Sequence, residues 1–262
     1  KKSELAAAIQ NFSWQKIYAT SYSVRLFNYS EEKLNSTEKD LGSLIWKRLT
    51  KPKVSLVNPH TPIFFFSFEE DVWCGKLVYE NQETFQTRKP HQRPGHMPIS
   101  LDPRLARAMV NLSSIPKGKL LFDPFCGVGG ILLEGGLIGL PLLGADISAK
   151  ALSHAEKNFR HYSLTSCTLL LKDFREIKGT YPFVVTDVPY GKSTKVSIKK
   201  LSDLYEEFFK ALKRWKCKKA VVGFPHFIAV EGLIKKHKLH VKHLFTIYVH
   251  KSLTRKIFVF EM

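Results

Sequence analysis

From residue 119 onward, short apolar runs alternate with stretches whose apolar residues recur every three or four positions, and that alternation constrains the chain more than any other feature. Parallel strands cannot be joined by tight turns; each needs a crossover of a dozen or more residues, usually a helix. The runs 120–122, 142–145, 168–171, 183–186 and 220–224 are therefore expected as strands of one parallel sheet. Helices are expected at 131–137, from Ser148 as cap to about residue 162, at 201–214 and at 230–237. The ending departs from this rhythm. Leu239, Val241, Phe245, Ile247 and Val249 alternate and 256–260 follows after a short turn, which predicts a hairpin and an antiparallel edge. The expected fold class is α/β, a Rossmann-like sheet that is mostly parallel with an antiparallel C-terminal hairpin.

Residues 1–87 follow other rules and read as a small α+β module. A short helix over 5–9 leads to an alternating strand at Tyr22, Val24 and Leu26. Thr37 with Asp40 three residues on forms a capping-box pattern before Leu41, Leu44, Ile45 and Leu49 at helical spacing. Runs at 62–69 and 72–80, parted by an acidic turn, predict a hairpin. Residues 88–100 are polar and carry three prolines, the composition of a linker. Asp102 followed by Pro103 then predicts a helix start, with Leu105, Met109 and Leu112 as its buried face. The domain expectation is thus a module over 1–87, a linker over 88–100 and an α/β domain over 101–262.

Charge narrows the partners. Lys and Arg number 41 against 23 Asp and Glu, a formal net charge of +18. The excess is uneven: residues 1–88 carry +2, 89–122 carry +5 and 123–262 carry +11. A polyanionic partner is the natural expectation, since positive surfaces draw phosphates at long range. Four cysteines, Cys74, Cys126, Cys167 and Cys217, form no CxxC pair, which argues against a structural zinc site and fits a reduced, cytoplasmic setting. No run of eighteen apolar residues occurs, so neither a membrane span nor a membrane partner is expected. His237, His240 and His243 alternate faces if they lie on a strand and cannot converge on a metal, and no metal is expected. No exposed apolar helix calls for an accessory subunit, and nothing excludes one.

The strongest chemical signal is Asp123-Pro124-Phe125-Cys126-Gly127-Val128-Gly129-Gly130, set between a strand and a helix. Glycines there let backbone approach a ligand, and the helix start offers free N–H groups. A dinucleotide fingerprint would need glycine where Leu132 stands, and a pyrophosphate would be repelled by Asp123. A ligand with an ammonium group and no phosphate, such as S-adenosylmethionine, suits both features. Asp146, followed by Ile147, ends the next strand and can accept ribose hydroxyls. Asp173, beside Phe174, is placed to take an adenine amine, although a surface strand-end Asp would look the same. After the fourth strand comes Asp187-Val188-Pro189-Tyr190. A carboxylate and a carbonyl held by proline can accept both hydrogens of a planar amine, while an aromatic ring stacks on its base. Such stacking is worth about 1–3 kcal/mol. Lys192, Lys195, Lys199 and Lys200 follow, where a substrate backbone would pass, and a second basic run spans 213–219.

These segments together resemble the archaeal tRNA guanine-10 N2-methyltransferases, which join a THUMP domain to a class I methyltransferase domain. The resemblance rests on the stretch RPGHMPISLDPRLARAMVNLS, the loop DPFCGVGGILLEGGLIG, DVPYG and the terminal VHKSLTRKIFVF. It implies RNA binding by residues 1–87, cofactor contacts from Asp123, Gly127, Gly129, Asp146 and Asp173, and a catalytic tetrad from Asp187 to Tyr190. It also implies that the segment around Ser100 closes over the methionine end of the cofactor, and that His250, Ser252 and Arg255 lie near the target base. The family carries a ferredoxin-like subdomain before THUMP, so a further N-terminal segment is expected ahead of Lys1. One departure stands out: Val188 replaces the first proline of the family's D-P-P-Y. The residues alone leave other acceptors open, namely another RNA, DNA or a protein amide. They also leave open an RNA-binding homologue impaired by Val188, and do not decide between one methyl and two.

Overall fold

A computed structural model describes residues 1–97, 100–191 and 198–262, the side chains of 198 and 199 excepted. The chain divides into two compact units, Lys1–Glu83 and Thr84–Met262.

In the first unit, α1 (Leu5–Asn11), β1 (Tyr22–Asn28), α2 (Glu38–Trp46), β2 (Thr61–Phe68) and β3 (Asp71–Lys76) form a two-layer α+β arrangement. The sheet order is β1-β2-β3, with β1 parallel to β2 and β3 antiparallel to it. Thr37 caps α2 through the reciprocal bonds with Asp40 that the sequence pattern predicts. Alternation along β1 and β2 sends Val24, Ile63 and Phe65 into a core with Ile9, Trp14, Leu41 and Ile45. The same alternation leaves Phe27, Phe64 and Phe66 on the other face, with the Phe27 and Phe66 rings stacked at 5.3 Å.

The second unit begins with α3 (Pro103–Ser113), capped by Asp102 with Pro103 in the first turn. Then follow β4 (Leu121–Asp123), α4 (Gly130–Gly136), β5 (Leu142–Asp146), α5 (Ala149–His161), β6 (Cys167–Leu171) and β7 (Phe183–Asp187). The chain ends with α6 (Ile198–Arg214), β8 (Lys219–Pro225), α7 (Glu231–Lys236), β9 (His240–His250) and β10 (Leu253–Glu261). One seven-stranded sheet results, in the order β6-β5-β4-β7-β8-β10-β9. It is parallel from β6 to β8, and β10 runs antiparallel to both β8 and β9. The sheet is thus the mostly parallel one with an antiparallel C-terminal hairpin that the sequence predicts. Strand alternation feeds two cores: Phe122, Val184, Val222 and Phe258 point to one, and Leu121, Val185, Val221 and Val259 to the other. Trp215, Tyr205, Phe208 and Phe209 complete the first core, and each such burial contributes about 1.5–3 kcal/mol.

Two local expectations differ from the structure. On α3, Met109 is buried as expected, but Ala106 and Val110 take the inner positions while Leu105 and Leu112 sit at the rim. That inner face also carries buried Arg107, which pairs with Glu134 of α4 at 3.1 Å. Of the stretch 88–100, expected as a linker, residues 88–97 are instead anchored in the second unit. Arg88 pairs with Glu134 at 2.9 Å, and the Asn158 side chain bonds both backbone groups of Gly95.

Candidate active site at the carboxyl ends of the strands

Strand order reverses between β4 and β7, and in an open α/β sheet the crevice beyond the carboxyl ends at such a point is where ligands bind. The two turns singled out by sequence leave the sheet there, from neighbouring strands joined through Phe122 and Val184.

The glycine turn follows Asp123, which is 1% exposed. Its Oδ1 accepts the Thr186 hydroxyl at 2.6 Å and the Phe125 amide at 3.1 Å. Among the described residues nothing donates to its Oδ2. Pro124 and Cys126 are buried beneath the turn, with Phe125 half-buried against the rings of Phe174 and Phe208. Gly127 and Gly129 have φ of +53° and +80°, the left-handed region that favours glycine. A Cβ on Gly129 would also lie 2.6 Å from the Phe159 ring. Asp146 closes the turn from β5, accepting the amides of Gly127 and Ser148 at 2.9 Å each. Ile147, next to it, stands 74% exposed. Burial pushes the Asp123 carboxyl up to about 7, and repulsion from Asp146 and Asp187 adds to the lift. A turn flanked by carboxylates fits a ligand bringing an ammonium group and hydroxyls. It does not fit a pyrophosphate.

The second turn leaves β7 at Asp187. Arg255 of β10 grips this carboxylate as a fork, Nε to Oδ1 and Nη2 to Oδ2, both at 3.1 Å. The Tyr190 hydroxyl also donates to Oδ1, and the Arg255 guanidinium lies 5.4 Å from the centre of the Tyr190 ring. Burial lifts Asp187 above the ordinary carboxylate range, and the Arg255 charge opposes that lift. Burial likewise pushes the Tyr190 phenol up, so it stays a donor. Val188 drops its side chain into the core, and its amide bonds the Gly223 carbonyl at 3.1 Å. Among the described residues nothing donates to the Val188 carbonyl. Pro189 is exposed, and its carbonyl accepts the Tyr205 hydroxyl at 2.8 Å.

Other sequence candidates lie differently. Asp173 is held by Arg175, through Nε at 2.9 Å and Nη2 at 2.6 Å, which keeps its carboxyl below the usual range. Phe174, expected beside an adenine, is a core residue at 3% exposure. Ser100 bonds the Met97 carbonyl at 2.8 Å. His250 and Ser252 form the exposed tip between β9 and β10, their side chains 3.1 Å apart. Arg255, expected near a target base, points inward to Asp187 and Tyr190. Lys192 and Lys195 lie outside the described residues, as does the side chain of Lys199. Sequence reasoning missed Thr186, Gly223 and Tyr205. A hydroxyl next to a strand-end Asp was the one available signal, for Thr186.

Three comparisons bear on these turns. Residues 90–257 match the family described as RMKL-like, methyltransferase domain. The tRNA (guanine(10)-N2)-dimethyltransferase of Methanothermobacter thermautotrophicus is 33% identical over 98% of this chain and 78% of that protein. The enzyme of the same name from Methanocaldococcus jannaschii is 31% identical over 92% of this chain and 70% of that protein. Among solved structures, TrmN from Thermus thermophilus superposes with a TM-score of 0.55 at 20% identity, covering 99% of this chain and 78% of that one. That last likeness concerns the fold alone.

Proposed function

This chain belongs to the RMKL-like methyltransferase domain family and to the family of the tRNA (guanine(10)-N2)-dimethyltransferases, and we propose from that premise how its site works. The protein is a tRNA methyltransferase that uses S-adenosylmethionine and acts on the exocyclic N2 amine of a guanosine, at position 10. The observation that carries this reading is the pairing of two carboxylate turns, Asp123 and Asp187, on the neighbouring strands β4 and β7.

Asp123 would take the ammonium group of the cofactor and Asp146 the ribose hydroxyls, through lone pairs left beside their backbone bonds. Gly127 and Gly129 give the room, and exposed Ile147 an apolar surface for the adenine. The bound cofactor supplies an electrophilic sulfonium methyl. What the protein adds is mostly position. The N2 amine of guanine carries two N–H donors and a lone pair conjugated with the ring. Asp187 Oδ2 and the Val188 carbonyl accept those two hydrogens, which draws the amine toward a geometry with its lone pair free to attack. The carbonyl, not the side chain, of residue 188 does this, so Val188 preserves the receptor that proline would supply. Tyr190 stacks on the base, a contribution of about 1–3 kcal/mol that offsets much of the energy needed to extrude it. After transfer the amine is left with a surplus proton, which Asp187 Oδ2 is placed to accept.

The first unit is read as a THUMP-like RNA-binding module, supported by its α+β build and its place before the catalytic unit. His250 and Ser252, at the hairpin tip beside Arg255, are read as RNA contacts, as are Lys192 and Lys195. The test is transfer of labelled methyl to a tRNA transcript followed by nucleoside analysis. N2-methylguanosine is expected at position 10, and labelled adenosine would overturn the base assignment. Asp187→Ala is expected to lower kcat by at least about 10³-fold while tRNA affinity stays within a factor of three. An equal loss of tRNA binding would make Asp187 structural.

A further inference from the structure

The geometry points to Arg255 as a positioning residue: it holds the Asp187 carboxylate ionised and in one plane, so that Asp187 accepts from the target amine. This rests on the methyltransferase reading given above.

Arg255 lies 68 residues from Asp187 and two strands away, because β8 separates β7 from β10. The guanidinium crosses β8 near Gly223, which pairs with Asp187 on one side and Ile257 on the other. The glycine leaves room for the carboxylate itself: a Cβ on residue 223 would lie 2.2 Å from Asp187 Oδ1. The arginine is 7% exposed, so it is not a surface cation available to a phosphate. Its planar fork takes both carboxylate oxygens, which fixes their plane as a single point charge would not. The Tyr190 hydroxyl shares the cluster, and the charge of Arg255 lies against its ring.

The consequence is chemical. The amine of guanine presents hydrogens, so its receptor must be all acceptor. An ionised carboxylate accepts only, whereas a protonated one presents a hydrogen of its own. Burial at this depth pushes a carboxylate toward its neutral form. Arg255 is the cation that opposes that preference, and the fork aims the lone pair left on Oδ2.

The test is the pH dependence of methyl transfer at saturating tRNA and methyl donor. Arg255→Met is expected to lower kcat about 100-fold near neutrality, the scale of a misplaced catalytic group. Its acid limb should move up by about one to three pH units, the reach of an opposite charge on a neighbouring carboxyl. Arg255→Lys should keep the limb within one pH unit of the parent and regain about ten-fold of the loss. It also serves if the methionine variant does not fold, a point that calorimetric binding of S-adenosylmethionine decides. Because Arg255 acts through Asp187, the double variant Asp187→Asn, Arg255→Met should be no slower than Asp187→Asn alone. An unmoved acid limb with the Lys variant equally slow would overturn the inference. So would a rise in KM for tRNA at unchanged kcat, the mark of a direct RNA contact. The Asp187 carboxyl carbon, followed by NMR without substrate, separates this inference from the reading it rests on. Its midpoint should rise in Arg255→Met whatever the protein methylates, whereas absence of N2-methylguanosine from the unmodified protein counts against the reading alone.

Discussion

The two units of this protein are built from different materials. Residues 1–83 carry 11 Lys and Arg against 10 Asp and Glu, whereas 84–262 carry 30 against 13. The first unit is held by an apolar core, and its ion pairs, such as Arg25–Glu38, lie on the surface. The second unit buries charge. Glu134 is fully enclosed between Arg88 and Arg107, Asp123 sits in the interior, and Asp187 is locked to Arg255. The contrast teaches where acidic and basic side chains are buried: the first unit does without them, whereas the second unit encloses them both in its framework, at Glu134, and at the candidate site, at Asp123 and Asp187. It also separates two meanings of RNA binding. Under the proposed function, long-range attraction of tRNA would fall to the strongly basic second unit, and the nearly neutral first unit would add recognition by shape.

The largest effect should come from breaking the buried charge itself. Glu134→Ala leaves two guanidiniums in the interior without their carboxylate, and about 3–5 kcal/mol of the second unit's stability should go. Arg25→Ala in the first unit should cost less than about 1 kcal/mol. Scanning calorimetry that resolves the two units checks both, and equal shifts would erase the contrast.

Next is the acid at the glycine turn. Asp123 titrates at about 7 in the fold against 3.8 for the free group, so folding favours its protonated form. Such a group adds stability below pH 4 and gives it up as the pH climbs from 4 through 7. The ligand-free protein with Asp123→Asn should therefore gain on the unmodified protein over that window, by up to roughly 4 kcal/mol. Denaturant unfolding at pH 4, 5.5 and 7.5 measures it. A gap that stayed constant with pH would show that Asp123 is ionised at no cost.

The smallest effect concerns salt. Lys251→Gln, at the hairpin tip of the catalytic unit, should reduce the log–log slope of tRNA affinity against salt by about 0.9. Lys47→Gln in the first unit should leave it unchanged. The reverse result would move the electrostatic footprint to the N-terminal module.

Much of the architecture could be read before any coordinates. The strand–helix alternation after residue 119, the edge hairpin, the caps at Thr37 and Asp102, and the glycine turn between β4 and α4 are all local patterns. Each depends on residues within a turn or two of one another, where period, capping and φ preference act directly. The candidate site was legible only as two separate turns, because both carry their chemistry within eight residues.

What the fold alone decided was partnership. Thr186 meets Asp123 across 63 residues and Arg255 meets Asp187 across 68, and Glu134 draws in Arg88 from a stretch that looks like a linker. Asp173 and Phe174 show the converse, adjacent in sequence yet one tied to Arg175 and the other sunk in the core. A chain with 41 basic and 23 acidic side chains offers many possible pairs, and sequence spacing does not rank them. Strand order and register rank them, by bringing a few distant groups into a space without water, where an unpaired charge is too unfavourable to persist.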